Sequence, residues 1–337
     1  MNSRYFRPLA LAGALLASLA AARAEPTAIK IGVLKVGATG PVYVGLAHGY
    51  FTQEGFNPEL VYFGAGSAVA EAVVAGSVDV GVTGLTAGLY TLAGQDQIRV
   101  ISGLHREWPG FHELGYFASP HSWAMGWRTF KDFPGHSVAI TTIGSTTHYA
   151  LGILAEHEGF KLADVQPMPM QQIPNSVSAV LGNKADFGLL PSTFAAAVTK
   201  AGGGLVGWVG DVTPWQIGAV FTAKKTADTR RDMLERFLAA MRKAAHDYYD
   251  AFTTADGKRR DGPTAAAILE VISKQLEEPA ARLDDEVPYI DPQMRIDLAD
   301  IDHQVAWYTE HHMIKVPVTG KQVVDLRYAR TMTSDAK

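Results

Sequence analysis

Short apolar runs alternate along the chain with longer segments in which apolar residues recur every three or four positions. The runs at residues 29–36 and 78–82 are rich in Val and Ile and are bounded by glycines, which predicts buried strands. Residues 41–53 and 68–75 have helical spacing, and a glycine follows closely after each. This alternation predicts an α/β fold built on mostly parallel sheets.

The same wiring returns in the second half of the chain. Residues 72–81 contain a helix end, a glycine stop, an aspartate and a strand, and residues 179–188 repeat that order with a spacing that differs by one residue. This indicates two α/β units of similar wiring rather than a sequence repeat. A strand at 218–223 is predicted to return to the first unit, and the remainder is predicted to be mostly helical. The further predicted strands are 58–63, 99–102, 115–119, 137–141, 165–170, 185–190 and 205–210, and the further predicted helices are 148–158, 175–181, 230–252, 265–275 and 293–314.

The first 24 residues have the three parts of a secretory signal peptide. Arg4 and Arg7 form a basic n-region, residues 9–21 are small and apolar, and Ala22-Arg23-Ala24 has the form of a cleavage site. The apolar run is shorter than the roughly 20 residues that a membrane span needs. We expect cleavage after Ala24, which leaves about 310 residues, a comfortable length for two domains.

The composition narrows the function further. The sequence contains no cysteine, which excludes disulfides, thiolate chemistry, Cys-ligated metals and a lipobox anchor. An exported, unanchored protein would be lost from a cell without an outer membrane, so we expect a periplasmic location. The formal net charge of −4 argues against a nucleic-acid partner.

A set of ordered motifs in the first 135 residues resembles the nitrate/sulfonate/taurine group of ABC-transporter substrate-binding proteins. Singly these motifs are weak, but their order and spacing together are quite specific, and the resemblance runs from residue 29 to about residue 250. The motifs are Pro41, Gly49-Tyr50-Phe51, Glu54-Gly55-Phe56, Ala75-Gly76, Asp79-Val80-Gly81 and the turn Phe130-Lys131-Asp132-Phe133-Pro134-Gly135.

The resemblance implies a type II periplasmic binding fold, in which two α/β lobes are joined by two crossing strands and the ligand binds between them. We expect the crossings at residues 116–120 and 211–215. Lobe 1 would then comprise residues 25–117 and 216–337, and lobe 2 residues 118–215. The implied partners are a small-molecule ligand and an ABC permease with its cytoplasmic ATPase, and the implied state is a monomer without a cofactor.

Open α/β sheets bind ligands beyond the carboxyl ends of their strands, and hydroxyl-bearing residues follow several predicted strands. Ser145, Thr146 and Thr147 stand where a helix begins, so they can contact a ligand or simply cap that helix. Ser67 has the same two interpretations, and Thr83 either borders the cleft or packs. The resemblance adds Thr39 and Gly40 from the first loop, and Ser192 follows the predicted strand at residues 185–190.

The segment at residues 103–112 is unusually rich in His, Trp and Arg. Arg106 could grip a carboxylate or sulfonate with two parallel N–H bonds, while Trp108 and Phe111 could stack on an aromatic ring. The alternative is a surface loop in which Arg106 pairs with a neighbouring acid. Trp215, at the second expected crossing, either covers the ligand or packs between the lobes.

Catalytic and metal-site patterns are weak in this sequence. There is no HExxH or other metal-ligand spacing, no P-loop and no GxSxG, and the residues His303, Trp307, His311 and His312 are expected on a solvated helix face. We therefore expect a non-catalytic receptor for a small organic anion, a sulfonate or a carboxylate, with aromatic ligands weakly favoured by the loop at residues 105–123. The alternatives are an enzyme on the same fold, of which a chorismate-dehydratase-like activity needs no cysteine, and a ligand-sensing subunit.

Overall fold

The computed structural model describes residues 25–283 and 287–332, and the expected signal peptide lies outside these residues. The strands are β1 (Thr27–Leu34), β2 (Phe56–Phe63), β3 (Val80–Gly84), β4 (Ile98–Gly103), β5 (His105–Arg106), β6 (Leu114–Ala118), β7 (Ser137–Ile140), β8 (Gln166–Pro169), β9 (Phe187–Pro191), β10 (Gly204–Trp208), β11 (Gly218–Ala223) and β12 (Tyr289–Ile290). The helices are α1 (Gly40–Ala47), α2 (Tyr50–Gln53), α3 (Gly66–Val74), α4 (Ala87–Gly94), α5 (Pro120–Ala124), α6 (Thr146–Glu158), α7 (Ile173–Leu181), α8 (Ala195–Lys200), α9 (Val209–Val212), α10 (Lys224–Thr229), α11 (Arg231–Phe252), α12 (Ala265–Leu276), α13 (Ala280–Leu283), α14 (Leu298–Glu310) and α15 (Gly320–Val323). None of these helices is long and apolar enough to cross a membrane.

The first lobe is built on a five-stranded sheet with the order β2-β1-β3-β11-β4. β1 pairs in parallel with β2 and β3, whereas β11 runs antiparallel to both of its neighbours. The core-facing side chains of β1, Ile29, Ile31 and Val33, are fully buried. The long amphipathic helix α11 covers this sheet together with α1 and α12, and its apolar stripe joins Phe51 and Phe56 in one core.

The second lobe is built on a five-stranded sheet with the order β10-β6-β9-β7-β8. β7 pairs in parallel with β8 and β9, and β6 runs antiparallel to β9 and β10. The two sheets therefore have the same arrangement. In each, three parallel strands are followed by two strands that pair antiparallel, β11 and β4 in the first sheet and β6 and β10 in the second. The similar wiring predicted from residues 72–81 and 179–188 is present in both lobes as helix, turn and strand.

Two connections link the sheets, residues 104–113 from β4 to β6 and residues 209–217 from β10 to β11. The expected first crossing at residues 116–120 lies instead inside lobe 2, because Tyr116 belongs to β6 and pairs with Leu189 of β9. The second expected crossing at residues 211–215 falls within the second connection. Glu107 and Trp215 hold the connections together through two backbone hydrogen bonds, of 2.9 and 3.2 Å.

Two predicted helices are shorter than the apolar spacing indicates. The helix predicted at 41–53 is divided into α1 and α2, because Gly49 adopts a left-handed backbone with φ of 68°. The helix predicted at 293–314 begins only at Leu298, where Asp297 caps its first turn by accepting hydrogen bonds from the N–H groups of Ala299 and Asp300.

Helix α14 packs between the lobes, which corrects the expectation that its Trp307 lies on a solvated face. Trp307 is buried beside Tyr149 of lobe 2, and the Tyr308 hydroxyl donates to the carbonyl of Ser145 at 3.0 Å. On the lobe 1 side, the Tyr90 hydroxyl donates to Oε1 of Gln304 at 2.7 Å. Helix α14 is therefore bonded to helices of both lobes.

Candidate ligand-binding site

A cavity that opens to solvent lies between the two lobes. It is bordered by the segments that follow the carboxyl ends of β1, β2, β3, β7 and β9, where α/β folds place their ligands. Seven of the ten sequence-predicted residues line it: Thr39, Ser67, Thr83, Ser145, Thr146, Thr147 and Ser192. Short hydroxyl-bearing side chains from both lobes thus share its wall with apolar side chains such as Leu34, Val82 and Leu189.

The three hydroxyl groups at the start of α6 differ in what they already bind. Ser145 Oγ accepts the N–H of His148 at 3.2 Å, which makes Ser145 the N-cap. Thr147 Oγ1 accepts the N–H of Thr141 at 3.1 Å and lies 2.9 Å from Ser145 Oγ. The Thr146 hydroxyl makes no hydrogen bond to another described residue. Ser145 therefore caps the helix, Thr147 is bonded to the segment that precedes it, and Thr146 has the hydroxyl that is free to meet a ligand.

The lobe 1 side of the wall also carries hydroxyl groups, and some of them already make hydrogen bonds within the protein. Thr39 Oγ1 donates to the carbonyl of Leu34 at 2.7 Å, and Thr86 Oγ1 caps α4 by accepting the N–H of Leu89 at 3.2 Å. Ser67 does not cap α3, because Ala65 occupies the N-cap position and Ser67 is the second helical residue. Its side chain is consequently available at the cavity wall.

Three expected site residues do not line the cavity. Gly40 begins α1, and a Cβ there would lie 2.7 Å from the Tyr248 ring, so its role is close helix packing. Trp215 is 2% exposed and packs edge-on against Tyr149 with ring centroids 4.7 Å apart, which is the interlobe packing alternative. Arg106 is also buried, and its guanidinium contacts Asp297.

Arg106 turns into the protein rather than into the cavity. Its Nη2 lies 3.5 Å from Oδ2 of Asp297, and its guanidinium sits 5.5 Å from the Trp108 ring centroid. Trp108 and Phe111 pack against Tyr289 and likewise do not line the cavity. The segment at residues 103–112 therefore fits neither expectation: Arg106 does not face the cavity to bind an anion, and it does not lie in an exposed surface loop.

The same connection contributes two residues that the sequence reasoning missed, His105 and Glu113. Both line the cavity, and His105 Nε2 lies 3.2 Å from Glu113 Oε1. The signal that could have found His105 is the alternation of a strand, since adjacent residues of β5 point to opposite sides and Arg106 points inward.

Residues 38–251 match the family described as NMT1/THI5 like, which is more than half of the chain. The chain belongs to this family. A protein of Escherichia coli (strain K12) that is named for binding aliphatic sulfonates is 30% identical over 201 residues, which cover 58% of this chain and 59% of that relative.

Solved structures share the fold of this NMT1/THI5-like chain. The periplasmic aliphatic sulphonate binding protein SsuA from Escherichia coli superposes with a TM-score of 0.69 at 19% identity, covering 90% of this chain and 99% of that one. The alkanesulfonate-binding protein SsuA from Xanthomonas axonopodis pv. citri, bound to MOPS, gives 0.70 at 16% identity, covering 92% and 100%. These matches confirm the predicted class, the two-lobed α/β fold of periplasmic binding proteins.

Burial shifts the pKa values of two titratable groups in this NMT1/THI5-like chain, His148 and Asp300. Burial, followed by the neighbouring charge of His311, lowers the pKa of His148 to about 4, so its Nδ1 accepts the N–H of Gly144 at 3.1 Å. Burial also raises the pKa of Asp300 on α14 to about 6. No Lys or Arg occurs among the described residues that line the cavity, and no aromatic ring other than the His105 imidazole does. An anionic ligand would thus be held by hydroxyl and N–H groups.

Proposed function

We propose that this chain is the periplasmic solute-binding component of an ABC importer, which captures a small organic sulfonate or carboxylate between its lobes and delivers it to a membrane permease with its ATPase. The observation that carries the proposal is the convergence of hydroxyl-bearing residues from both lobes on one cavity. The named relative and the two solved structures support the same role, since each is described as a binding protein for sulfonates.

Oxyanion capture would use dipoles rather than formal cations. The free hydroxyl of Thr146, the side chain of Ser67 and the first N–H groups of α3 and α6 are hydrogen-bond donors beside the cavity. The hydroxyl is well placed for a charge-assisted hydrogen bond, which typically contributes about 1.5–3 kcal/mol. Small pockets of this kind bind selectively because a few donors are positioned before the ligand arrives.

Ligand entry would require the lobes to separate, because they already touch beside the cavity. The N–H of Ala87 in lobe 1 donates to the carbonyl of Gly144 in lobe 2 at 2.9 Å. A Cβ on Gly84 would lie only 2.6 Å from the Thr146 methyl carbon. The lobe 1 backbone therefore closely approaches the Thr146 side chain, whose hydroxyl is proposed to bind the ligand. Domain closure around a hinge at residues 104–113 and 209–217 would place both walls on the ligand at once.

The proposal is tested by binding without turnover. The protein, purified from the periplasm of an expressing cell, should gain several degrees in Tm with at least one compound from a panel of alkanesulfonates, MOPS, short carboxylates and nitrate. Nuclear magnetic resonance of the mixture should show the compound unchanged after prolonged incubation. Stabilisation by none of the panel, or consumption of the compound, would overturn the proposal.

A matched pair of variants locates the anion. Thr146→Val keeps the shape but removes the free hydroxyl, and it should weaken binding of the stabilising compound about tenfold while the free energy of unfolding stays within about 0.5 kcal/mol. The control is Thr52→Val, at an exposed position on α2 away from the cavity. Calorimetric titration of both variants decides the question, and equal affinity in the two would move the oxyanion away from Thr146.

A further inference from the structure

The first half of helix α14 is attached to lobe 1. The Tyr90 hydroxyl on α4 donates to Oε1 of Gln304 at 2.7 Å, in a buried hydrogen bond. The N–H of Gly320, where α15 begins, donates to Oδ1 of Asp302 at 2.8 Å. A lobe motion should therefore carry this half of α14 along with lobe 1.

The same half of α14 also binds both connections between the sheets. The N–H of Gln216 donates to Oδ2 of Asp300, and the Gln216 carbonyl accepts a hydrogen bond from Nε2 of Gln304 at 2.8 Å. The Gln216 side chain donates in turn to the carbonyl of His105 at 3.1 Å. Because His105 and Gln216 lie on different connections, the base of α14 is fixed at the pivot about which the lobes would turn.

The last turns of α14 contact lobe 2 instead. Trp307 is 3% exposed and lies against α6 at Gly152, where a Cβ would collide with the indole ring. The Tyr308 hydroxyl donates to the Ser145 carbonyl at 3.0 Å, and this carbonyl also accepts the N–H of Tyr149 at 3.0 Å. A carbonyl oxygen has two lone pairs, so α6 can keep its own helical hydrogen bond when the Tyr308 bond is broken.

These lobe 2 contacts lie at a distance from the pivot. Trp307 and Tyr308 follow Asp300 by seven and eight residues, which is about 10–12 Å along a helix that rises about 1.5 Å per residue. A rotation that separated the lobes would therefore pull α6 away from this end of α14. It would break the Tyr308 hydrogen bond and expose two buried aromatic rings to water, which is unfavourable.

The part of lobe 2 that α14 holds is the start of α6, which faces the cavity. Thr146, whose hydroxyl is proposed to bind the ligand, directly follows Ser145. One position before Ser145, the Gly144 carbonyl accepts the N–H of Ala87 in lobe 1 at 2.9 Å. The ligand-facing segment is thus attached to lobe 1 at two adjacent points, directly through Ala87 and indirectly through α14.

We propose that Trp307 and Tyr308 are positioning residues for ligand capture, and that α14 is a strap that keeps the lobes together in part of the ligand-free population. A ligand touches both walls only when the lobes are closed, so the closed fraction sets the apparent affinity. This link to affinity rests on the proposed function. The strap itself requires no ligand, and it is therefore tested on the free protein.

The distance between the lobes can be measured with two spin labels, because the sequence contains no cysteine. The labelled substitutions are Glu59→Cys on β2 and Ser178→Cys on α7, both at exposed positions. β2 leads to Gly64 and α7 begins after Gln172, and a Cβ on Gly64 would lie 3.0 Å from the Gln172 side chain, so the pair spans an interlobe contact. Electron–electron double resonance of the ligand-free wild type should show the short distance in about a tenth of the molecules or more.

Tyr308→Phe removes only the hydroxyl and should raise the ratio of open to closed molecules about fivefold, the factor that one ordinary hydrogen bond gives. Tyr116→Phe is the matched control and should leave the ratio unchanged, since the Tyr116 hydroxyl donates to the Ala150 carbonyl at 2.9 Å within lobe 2. A wild type without closed molecules, or the same ratio in Tyr308→Phe as in the wild type, would overturn the strap.

A second variant tests the Trp307 contact from the lobe 2 side. Gly152→Ala places a methyl group against the indole and should open the protein more than Tyr308→Phe does, although alanine itself favours the helix α6. Gly88→Ala on α4 is the matched control, because the nearest atom would lie 3.7 Å from the added Cβ. An unchanged closed fraction in Gly152→Ala would mean that Trp307 moves with lobe 2, and the strap would be wrong.

Calorimetric titration separates the strap from the proposed function. With a stabilising compound from the panel above, Tyr308→Phe should lose up to about fivefold in affinity and Tyr116→Phe should lose none. Shifted distances without binding of any compound would support the strap and overturn the proposed function. Binding together with unshifted distances would do the reverse.

Discussion

The two polar segments around the cavity, residues 142–148 at the start of α6 and residues 104–113 between the sheets, behave in opposite ways. In the first, the side chains expected near a ligand line the cavity, although Ser145 also caps the helix and Thr147 also binds the N–H of Thr141. In the second, the expected Arg106 is withdrawn, and its neighbour His105 lines the cavity instead. A helix start gathers its polar groups on one side, whereas a strand distributes successive residues to opposite sides.

That difference explains how the cavity acquires its charge. The segment at residues 104–113 contributes the Glu113 carboxyl and the His105 imidazole to the wall, while the guanidinium of Arg106 pairs with Asp297 of the α14 cap. The hydroxyl-rich loop contributes donors without formal charge. The two segments therefore bring different chemical groups to one cavity, and each can be perturbed separately.

The largest effect is expected from His148, which supports the first segment. Its neutral Nδ1 accepts the Gly144 N–H, and its ring packs edge-on against Trp307. Because the pKa falls from 6.5 to about 4 on folding, this contribution is fully present above pH 6.5 and is lost as the pH falls towards 4. The loss between pH 7 and pH 4 should be on the order of 3 kcal/mol in the free energy of unfolding.

The measurement is urea unfolding of the wild type and of His148→Asn at both pH values. The asparagine oxygen can accept the Gly144 hydrogen bond without titrating, so the variant should lose less stability on acidification. Asp300 acts in the opposite direction, since its raised pKa of about 6 makes stability fall as the pH rises from 3.8 to 6. The difference between the two proteins cancels that background, and identical pH profiles would show that His148 does not titrate in this way.

The second largest effect is expected from Arg106, which anchors the segment at residues 104–113. Arg106→Ala removes a buried side chain, its contact with Asp297 and its packing on Trp108, and it should lower the free energy of unfolding by about 2 kcal/mol. The affinity for a stabilising compound from the panel should remain close to that of the wild type, because Arg106 does not line the cavity.

Arg260→Ala, at an exposed position, is the control for losing an arginine and should change stability by less than about 0.5 kcal/mol. Chemical unfolding gives the free energy of unfolding, and calorimetry gives the affinity for the stabilising compound. A specific loss of anion affinity in Arg106→Ala with full stability would restore the anion grip and reverse the comparison between the segments.

The sequence predicts the strands and helices of this protein much better than the directions in which its polar side chains point. Buried strands such as β1 and β3 are short Val- and Ile-rich runs ended by glycine, so their positions and the hydroxyls after them follow from local pattern. The partner of Arg106 is 191 residues away, and no local pattern connects the two. The His105 position likewise depends on Gly218, across the lobe connection, which becomes informative only once the chain is folded.

The smallest effect separates capping from binding within the first segment. Ser145→Ala removes the acceptor for the His148 N–H and should cost about 1 kcal/mol in the free energy of unfolding, as for other N-caps. Ser119→Ala is the matched control, since Ser119 caps α5 by accepting the Ser122 N–H at 3.2 Å and does not line the cavity. If the Ser145 hydroxyl is committed to the helix, both variants lose similar stability, and Ser145→Ala weakens ligand binding less than Thr146→Val does. Because the Thr146 hydroxyl is the unpaired one, a larger binding loss in Ser145→Ala would mean that the cap rearranges when the ligand arrives, and Ser145 would then replace Thr146 as the oxyanion donor.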